Sequence, residues 1–429
     1  MLNDMTDPYE VQPLAKPPVC TVRVPGSKSI TNRALILAAL AQPQPGGPRY
    51  SVLQGALRSE DTEVMIDSLQ RLGIEVVTDW PNQRITVPCT PISQWKSNVE
   101  FFCGNSGTTI RFLTAMLSVG EGTYRLDGIE RMRERPIQHL LDALRQLGVD
   151  ARSEKGNGCP PVVLQTAGLA GGNVAVKSDV SSQYLSALLM AAPYSRHPLT
   201  IQIEGELVSE PYIGITLKMM QAWGVPVVMH QHSYRVASQP YQAREYLIEP
   251  DASSASYFWA AAAITGGSVT VPGLEQSMQG DAQFFRELIK MGCQPVDDAT
   301  LQGSSLQGIT TDMNAISDTV MTLAVVALFA EGSTTITNVA HIRHKETDRL
   351  AALATELRKV GAEVEEFADG LTIHPRPLHG ATLDTYNDHR MAMSLSLIGL
   401  RIPGIRIRNP GCVAKTFPNY WQSLENLRQ

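Results

Sequence analysis

Residues 65–77, MIDSLQRLGIEVV, carry the pattern that decides the fold: an amphipathic helix, a glycine and the start of an apolar strand. The same pattern returns at residues 140–152, 217–229, 285–296 and 353–365. A glycine just past a helix is typical of a position with positive φ, since it has no Cβ to clash there. These glycines recur at intervals of 75, 76, 68 and 69 residues and are Gly73, Gly148, Gly224, Gly292 and Gly361.

A second class of helix alternates with the first. Each of its members opens with small polar residues and continues as an apolar run, and a helix that is apolar around most of its circumference is predicted to be buried. The chain end, residues 419–429, resembles a sixth amphipathic helix without its strand. The pattern therefore predicts six α+β units of about 70 residues each. The buried segments are residues 27–40, 104–117, 178–192, 251–264, 317–330 and 387–400.

The units are predicted to form two groups of three. The glycine spacing shortens between Gly224 and Gly292, and Pro250 lies in that interval, where a crossover is expected. An open solenoid is the alternative, but such apolar helices are better buried inside closed domains. We therefore predict one domain at residues 27–250 and a second made of residues 1–26 and 251–429. The segment Thr21–Val24 is predicted to complete the sheet of the sixth unit.

The composition excludes several classes of protein. The 429-residue chain has 43% hydrophobic and 18% charged residues, as ordinary globular proteins do, and a net charge of −6. An acidic balance argues against nucleic acid and membrane surfaces as partners. The N-terminus shows no signal peptide, no apolar run has the length of a membrane span, and the six cysteines form no CxxC pair. We expect reduced thiols and a cytoplasmic protein, or an organellar one if a transit peptide has been removed.

The polar residues at the helix starts point to an anion site. Helix N-termini favour anions, and cations placed there oppose the helix dipole unless an anion is bound between them. Walker A spacing is absent around Lys28, and no His, Cys or carboxylate spacing indicates a metal, so neither a metal nor a cofactor is expected. The residues concerned are Lys28, Arg33, Arg111, Arg135, Gln183, Lys345, Arg349, His389, Arg390 and Lys415.

Nine motifs together resemble the signatures of the 5-enolpyruvylshikimate-3-phosphate synthases. They are PGSKSITNRAL, GNSGTTIR, MRERPI, DVSSQYLSALLM, GELVSEPYI, EPDASSASYF, KETDRL, YNDHRMAMS and AKTFPNYW, and they extend from residue 25 to residue 421. The resemblance implies an α/β (α+β) enolpyruvyl-transferase fold of two domains, each with three βαβαββ units. It also implies transfer of the enolpyruvyl group of phosphoenolpyruvate to the 5-hydroxyl of shikimate 3-phosphate, with release of phosphate (EC 2.5.1.19). That reaction belongs to chorismate and aromatic amino acid biosynthesis.

The resemblance also assigns residues to each substrate, and a monomer is expected. The first domain is expected to bind mainly shikimate 3-phosphate and the second to complete the phosphoenolpyruvate site. Expected catalytic residues are Asp318, facing the 5-hydroxyl, Glu346, facing the methyl carbon, and Lys28. For shikimate 3-phosphate the residues are Ser29, Arg33, Ser181, Ser182, Gln183, Ser209, Tyr212, Asp318 and Lys345. For phosphoenolpyruvate they are Lys28, Gly107, Arg135, Gln183, Arg349, Arg390 and Lys415.

Four positions depart from the commonest pattern of the family. Thr109, Ile110 and Phe112 stand where many members carry Ala, Met and Pro, which bears on sensitivity to glyphosate, the family's inhibitor. His341 stands where Asn is frequent at a substrate contact. Neither departure touches a charged catalytic position.

Two other functions compete with this one. A sister transferase acts on UDP-N-acetylglucosamine and usually carries a reactive Cys in a mobile loop, but the matching loop here, residues 120–135, contains none. A non-catalytic anion-binding protein would keep the cations and lose the acid–base residues. Because Asp318 and Glu346 are both present, an enzyme is favoured.

Overall fold

In the computed structural model of the chain, which describes residues 6–428, two classes of helix alternate as predicted. The odd-numbered helices are buried along almost their whole length, whereas the even-numbered ones each keep an exposed face. All five repeat glycines have φ between 87° and 110°, as expected for residues that end a helix. In chain order the helices are α1 (Lys28–Leu40), α2 (Glu60–Leu72), α3 (Gly107–Leu117), α4 (Gln138–Gln146), α5 (Ser182–Ala191), α6 (Pro211–Ala222), α7 (Ala252–Thr265), α8 (Phe284–Lys290), α9 (Val320–Ala327), α10 (Arg349–Lys359), α11 (His389–Ser396) and α12 (Tyr420–Glu425).

The strands are short, and many have only three or four residues. In chain order they are β1 (Tyr9–Val11), β2 (Val19–Thr21), β3 (Tyr50–Gln54), β4 (Val77–Asp79), β5 (Arg84–Pro88), β6 (Val99–Phe102), β7 (Glu121–Asp127), β8 (Asp150–Ser153), β9 (Val162–Ala167), β10 (Gly172–Lys177), β11 (Leu199–Glu204), β12 (Val227–His230), β13 (Ser233–Val236), β14 (Glu245–Leu247), β15 (Ser268–Thr270), β16 (Gln294–Pro295), β17 (Thr300–Gln302), β18 (Thr310–Asp312), β19 (Thr334–Thr337), β20 (Glu363–Phe367), β21 (Gly370–His374), β22 (Thr382–Leu383) and β23 (Ile405–Ile407).

Among the described residues, five four-stranded sheets share one topology, and the sixth sheet, β1–β23–β22, repeats it with one strand fewer. Two neighbouring strands are parallel, and the strands that follow are antiparallel, as in β6–β7–β9–β8 and β18–β19–β21–β20. The helices fall between the strands in the order β6, α3, β7, α4, β8, β9. The predicted fold class of six βαβαββ units is therefore confirmed.

The chain divides into two compact units. One, the central unit, is Gly26–Ile248, and the other, the terminal unit, comprises the described residues of Met1–Pro25 and Glu249–Gln429. The terminal unit has a continuous apolar core in which α7, α9 and α11 are buried. No helix of residues 6–428 is long and apolar enough to span a membrane.

Each unit borrows its first strand from a distant part of the chain. β2 precedes α1 in sequence but pairs in parallel with β15 of the terminal unit. β14 precedes α7 in sequence but pairs in parallel with β3 of the central unit. β2 and β14 are thus exchanged between the two units. The chain passes from one unit to the other shortly after each of these strands.

The prediction of which strand completes the sixth sheet was wrong. Thr21–Val24 was expected there, but Tyr9–Val11 (β1) is the strand that lies antiparallel to β23, with Tyr9 opposite Ile407 and Val11 opposite Ile405. Thr21 belongs to β2 and completes the fourth sheet instead. The reason is direction, because β23 already has a parallel neighbour in β22 and the topology requires an antiparallel strand on its other side.

Candidate active site

Lys28 is the first residue of α1, and its charge is balanced by a carboxylate. Its Nζ lies 3.5 Å from Oδ2 of Asp61, which is buried in the first turn of α2. The acid suits its position, since carboxylates are stabilised near helix N-termini. The Lys28 side chain remains 12% exposed, so its ammonium group can contact a ligand while it stays paired with Asp61.

Arg33 lies one turn further along α1 and is buried, with 1% exposure. Its guanidinium donates to the Thr216 hydroxyl at 2.8 Å and to the Ser29 and Tyr212 carbonyls at 2.9 and 3.2 Å. The Phe112 ring lies 5.1 Å from its Cζ in cation–π geometry. Burial lowers the pKa of Arg33 to about 10, so the side chain stays charged at neutral pH.

Gly107 opens α3 and lies against Arg135. A Cβ at Gly107 would lie 2.6 Å from Nη2 of Arg135 and 2.9 Å from its Cζ, so a larger residue would displace the guanidinium from this position. Arg135 also donates to the backbone carbonyl and the side-chain oxygen of Asn105, at 3.0 and 3.2 Å. A fixed cation therefore lies beside the start of a buried helix, the arrangement expected of an anion site.

At the start of α5, Ser181 caps the helix by accepting from the Gln183 amide, and Ser182 follows as its first residue. Gln183 is held by Arg111, whose Nη1 donates to its Oε1 at 2.7 Å. Ser209 and Tyr212 lie at the start of α6. The backbone φ of Ser209 is 52°, a strained value for a residue other than glycine.

In the terminal unit, one buried guanidinium joins three carboxylates. Arg349 is 1% exposed and donates to Asp388 Oδ2 at 2.8 Å, Glu346 Oε2 at 2.9 Å and Asp318 Oδ1 at 3.0 Å. Burial lowers the pKa of Arg349, but Asp388, Glu346 and Asp318 outweigh it and raise that pKa above its ordinary value. The three acids are thereby brought to one point from two repeat units, Asp318 and Glu346 from the fifth and Asp388 from the sixth.

Further cations surround this point. Arg390 donates to Asp318 Oδ2 at 2.7 Å, Lys345 Nζ lies 3.8 Å from Asp318 Oδ1, and Lys415 Nζ lies 4.0 Å from Glu346 Oε1. We call Asp318, Lys345, Glu346, Arg349, Asp388, Arg390 and Lys415 the charge cluster. The terminal-unit residues predicted from sequence are therefore brought together.

Asp318 and Glu346 precede helices and do not cap them. α9 begins at Val320 with Thr319 as its N-cap residue, and α10 begins at Arg349 with Asp348, whose carboxylate accepts from the Ala351 amide. Acids just before or at a helix start usually serve as N-caps or interact with the helix dipole. Their carboxylates instead bind Arg349.

Sequence reasoning missed the partners of the predicted cations. Asp61 and Asp388 look like an ordinary first-turn acid and an ordinary N-cap, and Asp388 does accept from the Arg390 amide at 2.8 Å. Nothing in their local sequence indicates that they also bind Lys28 and Arg349. His341 is 5% exposed, and burial together with Lys345 lowers its pKa to about 3, so its imidazole is neutral beside the cluster.

The comparisons with known proteins agree with the motifs. A family model described as EPSP synthase (3-phosphoshikimate 1-carboxyvinyltransferase) matches residues 15–424. The chain is similar to proteins named 3-phosphoshikimate 1-carboxyvinyltransferase from Nostoc punctiforme (47% identity; 97% of this chain and 98% of the relative) and Shewanella amazonensis (47%; 95% and 96%).

Solved structures show the same fold. An EPSP synthase from Acinetobacter baumannii superposes with a TM-score of 0.80 at 24% identity over 98% of both chains. The enolpyruvyl transferase NikO from Streptomyces tendae gives 0.75 at 19% identity, covering 97% of this chain and 96% of its own. The extent of the family match and the identity with the curated relatives show that this chain belongs to the EPSP synthase (3-phosphoshikimate 1-carboxyvinyltransferase) family.

Proposed function

We propose that the cations and acids at the helix starts of this chain carry out the reaction of the family. That reaction transfers the enolpyruvyl group of phosphoenolpyruvate to the 5-hydroxyl of shikimate 3-phosphate and releases phosphate, a step of the shikimate pathway. The observation that supports the assignment most strongly is the charge cluster, in which two candidate proton carriers, Asp318 and Glu346, share one buried guanidinium.

One set of residues, most of them cations, is proposed to bind phosphoenolpyruvate. Lys28, Arg135, Arg349, Arg390 and Lys415 would neutralise the phosphate and carboxylate of phosphoenolpyruvate, with Gly107 and Gln183 beside them. Charge-assisted bonds from guanidinium groups to such anions are strong and directional.

The other substrate is proposed to bind mainly at the central unit. The groups assigned to shikimate 3-phosphate are chiefly hydroxyls at helix starts, which suit a phosphate and a polyol. They are Ser29, Arg33, Ser181, Ser182, Gln183, Ser209, Tyr212, Asp318 and Lys345.

The proton transfers are assigned to Asp318 and Glu346. The 5-hydroxyl oxygen bonds to C2 of the enol and loses its proton to Asp318, while the methylene carbon C3 takes a proton from Glu346, which enters the reaction protonated. When the C2–O bond to phosphate breaks, C3 returns a proton to Glu346 and the double bond is restored. Positioned acids and bases of this kind contribute about 10²–10⁴ in rate.

Lys28 is proposed as the third catalytic residue. Its ammonium would stabilise the charge that develops on the phosphate as it leaves, and Asp61 would fix its position. We further propose a monomer that works in the cytoplasm.

Phosphate release, assayed with phosphoenolpyruvate and an acceptor, tests the function. Turnover with shikimate 3-phosphate and none with UDP-N-acetylglucosamine is expected. Turnover with the nucleotide sugar alone would identify the sister transferase, and tight binding without phosphate release would identify an anion-binding protein.

A further inference from the structure

One buried carboxyl next to the charge cluster has no part in the reaction described above. Asp281 lies in the single turn of 3₁₀ helix at Gly280–Gln283 and is 2% exposed. Burying an acid costs free energy unless the acid is hydrogen-bonded.

Asp281 is connected to the cluster through one hydroxyl. The Ser253 hydroxyl, in the first turn of α7, donates to Oδ2 of Asp281. The Ser253 Oγ also accepts a hydrogen bond from Nη2 of Arg390 at 3.3 Å. This Nη2 in turn donates to Asp318 Oδ2 at 2.7 Å. A guanidinium can only donate, so the hydroxyl must turn its lone pairs toward Arg390 and its hydrogen toward an acceptor.

We propose that Asp281 is a positioning residue of the reaction, which orients the Ser253 hydroxyl and thereby holds the Arg390 guanidinium against Asp318. The proposal rests on the proposed roles of Arg390 and Asp318. In its charged form Asp281 is a pure acceptor and fixes the direction of the hydroxyl. In its protonated form it competes to donate, and the link to Arg390 weakens.

The charged groups around Asp281 make the link sensitive to pH. Burial raises the pKa of Asp281 to about 6; Asp318 and Asp251 add to this effect, while Arg390 and the Ser253 hydrogen bond oppose it. Because this pKa is higher in the folded than in the unfolded chain, the folded state gains stability as pH falls through 6. The protonation of Asp281 itself therefore does not favour unfolding.

The test compares Asp281→Asn with the wild type between pH 7.5 and pH 5. We expect kcat/KM for phosphoenolpyruvate to fall by about 10- to 100-fold at pH 7.5, as for a misplaced reacting group. The ratio of wild type to variant should shrink toward one at pH 5, where the wild type has also lost the charge. The matched control is Glu287→Gln, another buried acid of the terminal unit, which binds Thr311 and Lys290 and should show a ratio near one throughout.

A second variant tests the same link from its other end. Ser253→Ala should reduce kcat/KM in the same direction, and the double variant should be no slower than the slower single one. A pH-independent ratio for Asp281→Asn, or effects that multiply in the double variant, would overturn the proposal while leaving the function intact. Absence of turnover in the wild type would overturn both.

Discussion

At the scale of single residues, the charge cluster is nearly balanced without any ligand. Four cations (Lys345, Arg349, Arg390 and Lys415) meet three carboxylates (Asp318, Glu346 and Asp388), so the sum is 4 − 3 = +1. Such a cluster can persist in the empty protein and still attract an anion. Removing one member leaves a buried charge uncompensated, which typically costs about 3–5 kcal/mol.

The charge balance of the cluster determines what we expect when a proposed proton carrier is replaced by its amide. Asp318→Asn and Glu346→Gln keep an acceptor oxygen toward Arg349, so both variants should fold. Turnover should fall about 10²–10⁴-fold because the amides cannot exchange the proton. Steady-state phosphate release gives the rate, and calorimetric titration gives the binding of each substrate.

The converse outcome would be equally informative. If either variant keeps near-normal turnover while its melting temperature drops, that carboxylate only balances Arg349. Its catalytic role would then be wrong.

The contact of Gly107 with Arg135 makes a sharp test of the phosphoenolpyruvate site. Gly107→Ala places a methyl 2.6 Å from Arg135 Nη2, so the guanidinium must shift. We expect a higher KM for phosphoenolpyruvate and weaker inhibition by glyphosate, measured in the same assay. Gly214→Ala in α6 is the control, since its Cβ would meet nothing within 4 Å. Equal inhibition of both variants would remove Gly107 from the site.

The cations of the site could be predicted from sequence, whereas their partners could not. A Lys or Arg at a helix start stands out because it opposes the dipole. Asp61 and Asp388 are ordinary at such places, and Ser253 and Asp281 sit in segments without any charge pattern. Their roles follow only from which units the fold brings together.

At the scale of elements, helices were predictable and strand pairing was not. Apolar runs of ten residues or more and the recurring glycines indicate the helices in the sequence. β1 and β2 have three residues each, too few for any period, and their partners lie hundreds of residues away. The wrong assignment of Thr21–Val24 shows this limit.

β1 offers a test of its structural role. Val11 is completely buried, and Val11→Ala should destabilise the terminal unit by about 2 kcal/mol through lost burial. Glu10→Ala, on the exposed side of the same strand, removes a surface ion pair with Arg406 and a long surface hydrogen bond from Gln12, and should change little. Hydrogen exchange should quicken in β23 for the first variant and stay unchanged in β10 and β11. Equal exchange in both variants would contradict the pairing.

At the scale of the whole molecule, His341 links stability to acidity. Its pKa is lower in the folded chain, about 3 against 6.5, so the unfolded chain binds a proton that the folded one refuses. Stability is therefore lost as pH falls below 6.5. At about 1.4 kcal/mol per unit, the loss from this residue is about 2 kcal/mol at pH 5.

The variant His341→Asn lacks this penalty. Its stability relative to the wild type should improve by about that amount between pH 7 and pH 5, as measured by urea unfolding at both values. A difference that does not change with pH would mean that His341 is protonated in the folded protein.

The exchange of β2 and β14 has a consequence for how the protein is made. The central unit is one uninterrupted stretch of chain, so it can fold on the ribosome once residue 248 has left the exit tunnel. The terminal unit cannot: β2 has no partner until Ser268 is translated, and β1 waits for Ile405. Nascent chains arrested near residue 300 should therefore yield a protease-resistant core of about residues 26–248, while the first 25 residues are still digested.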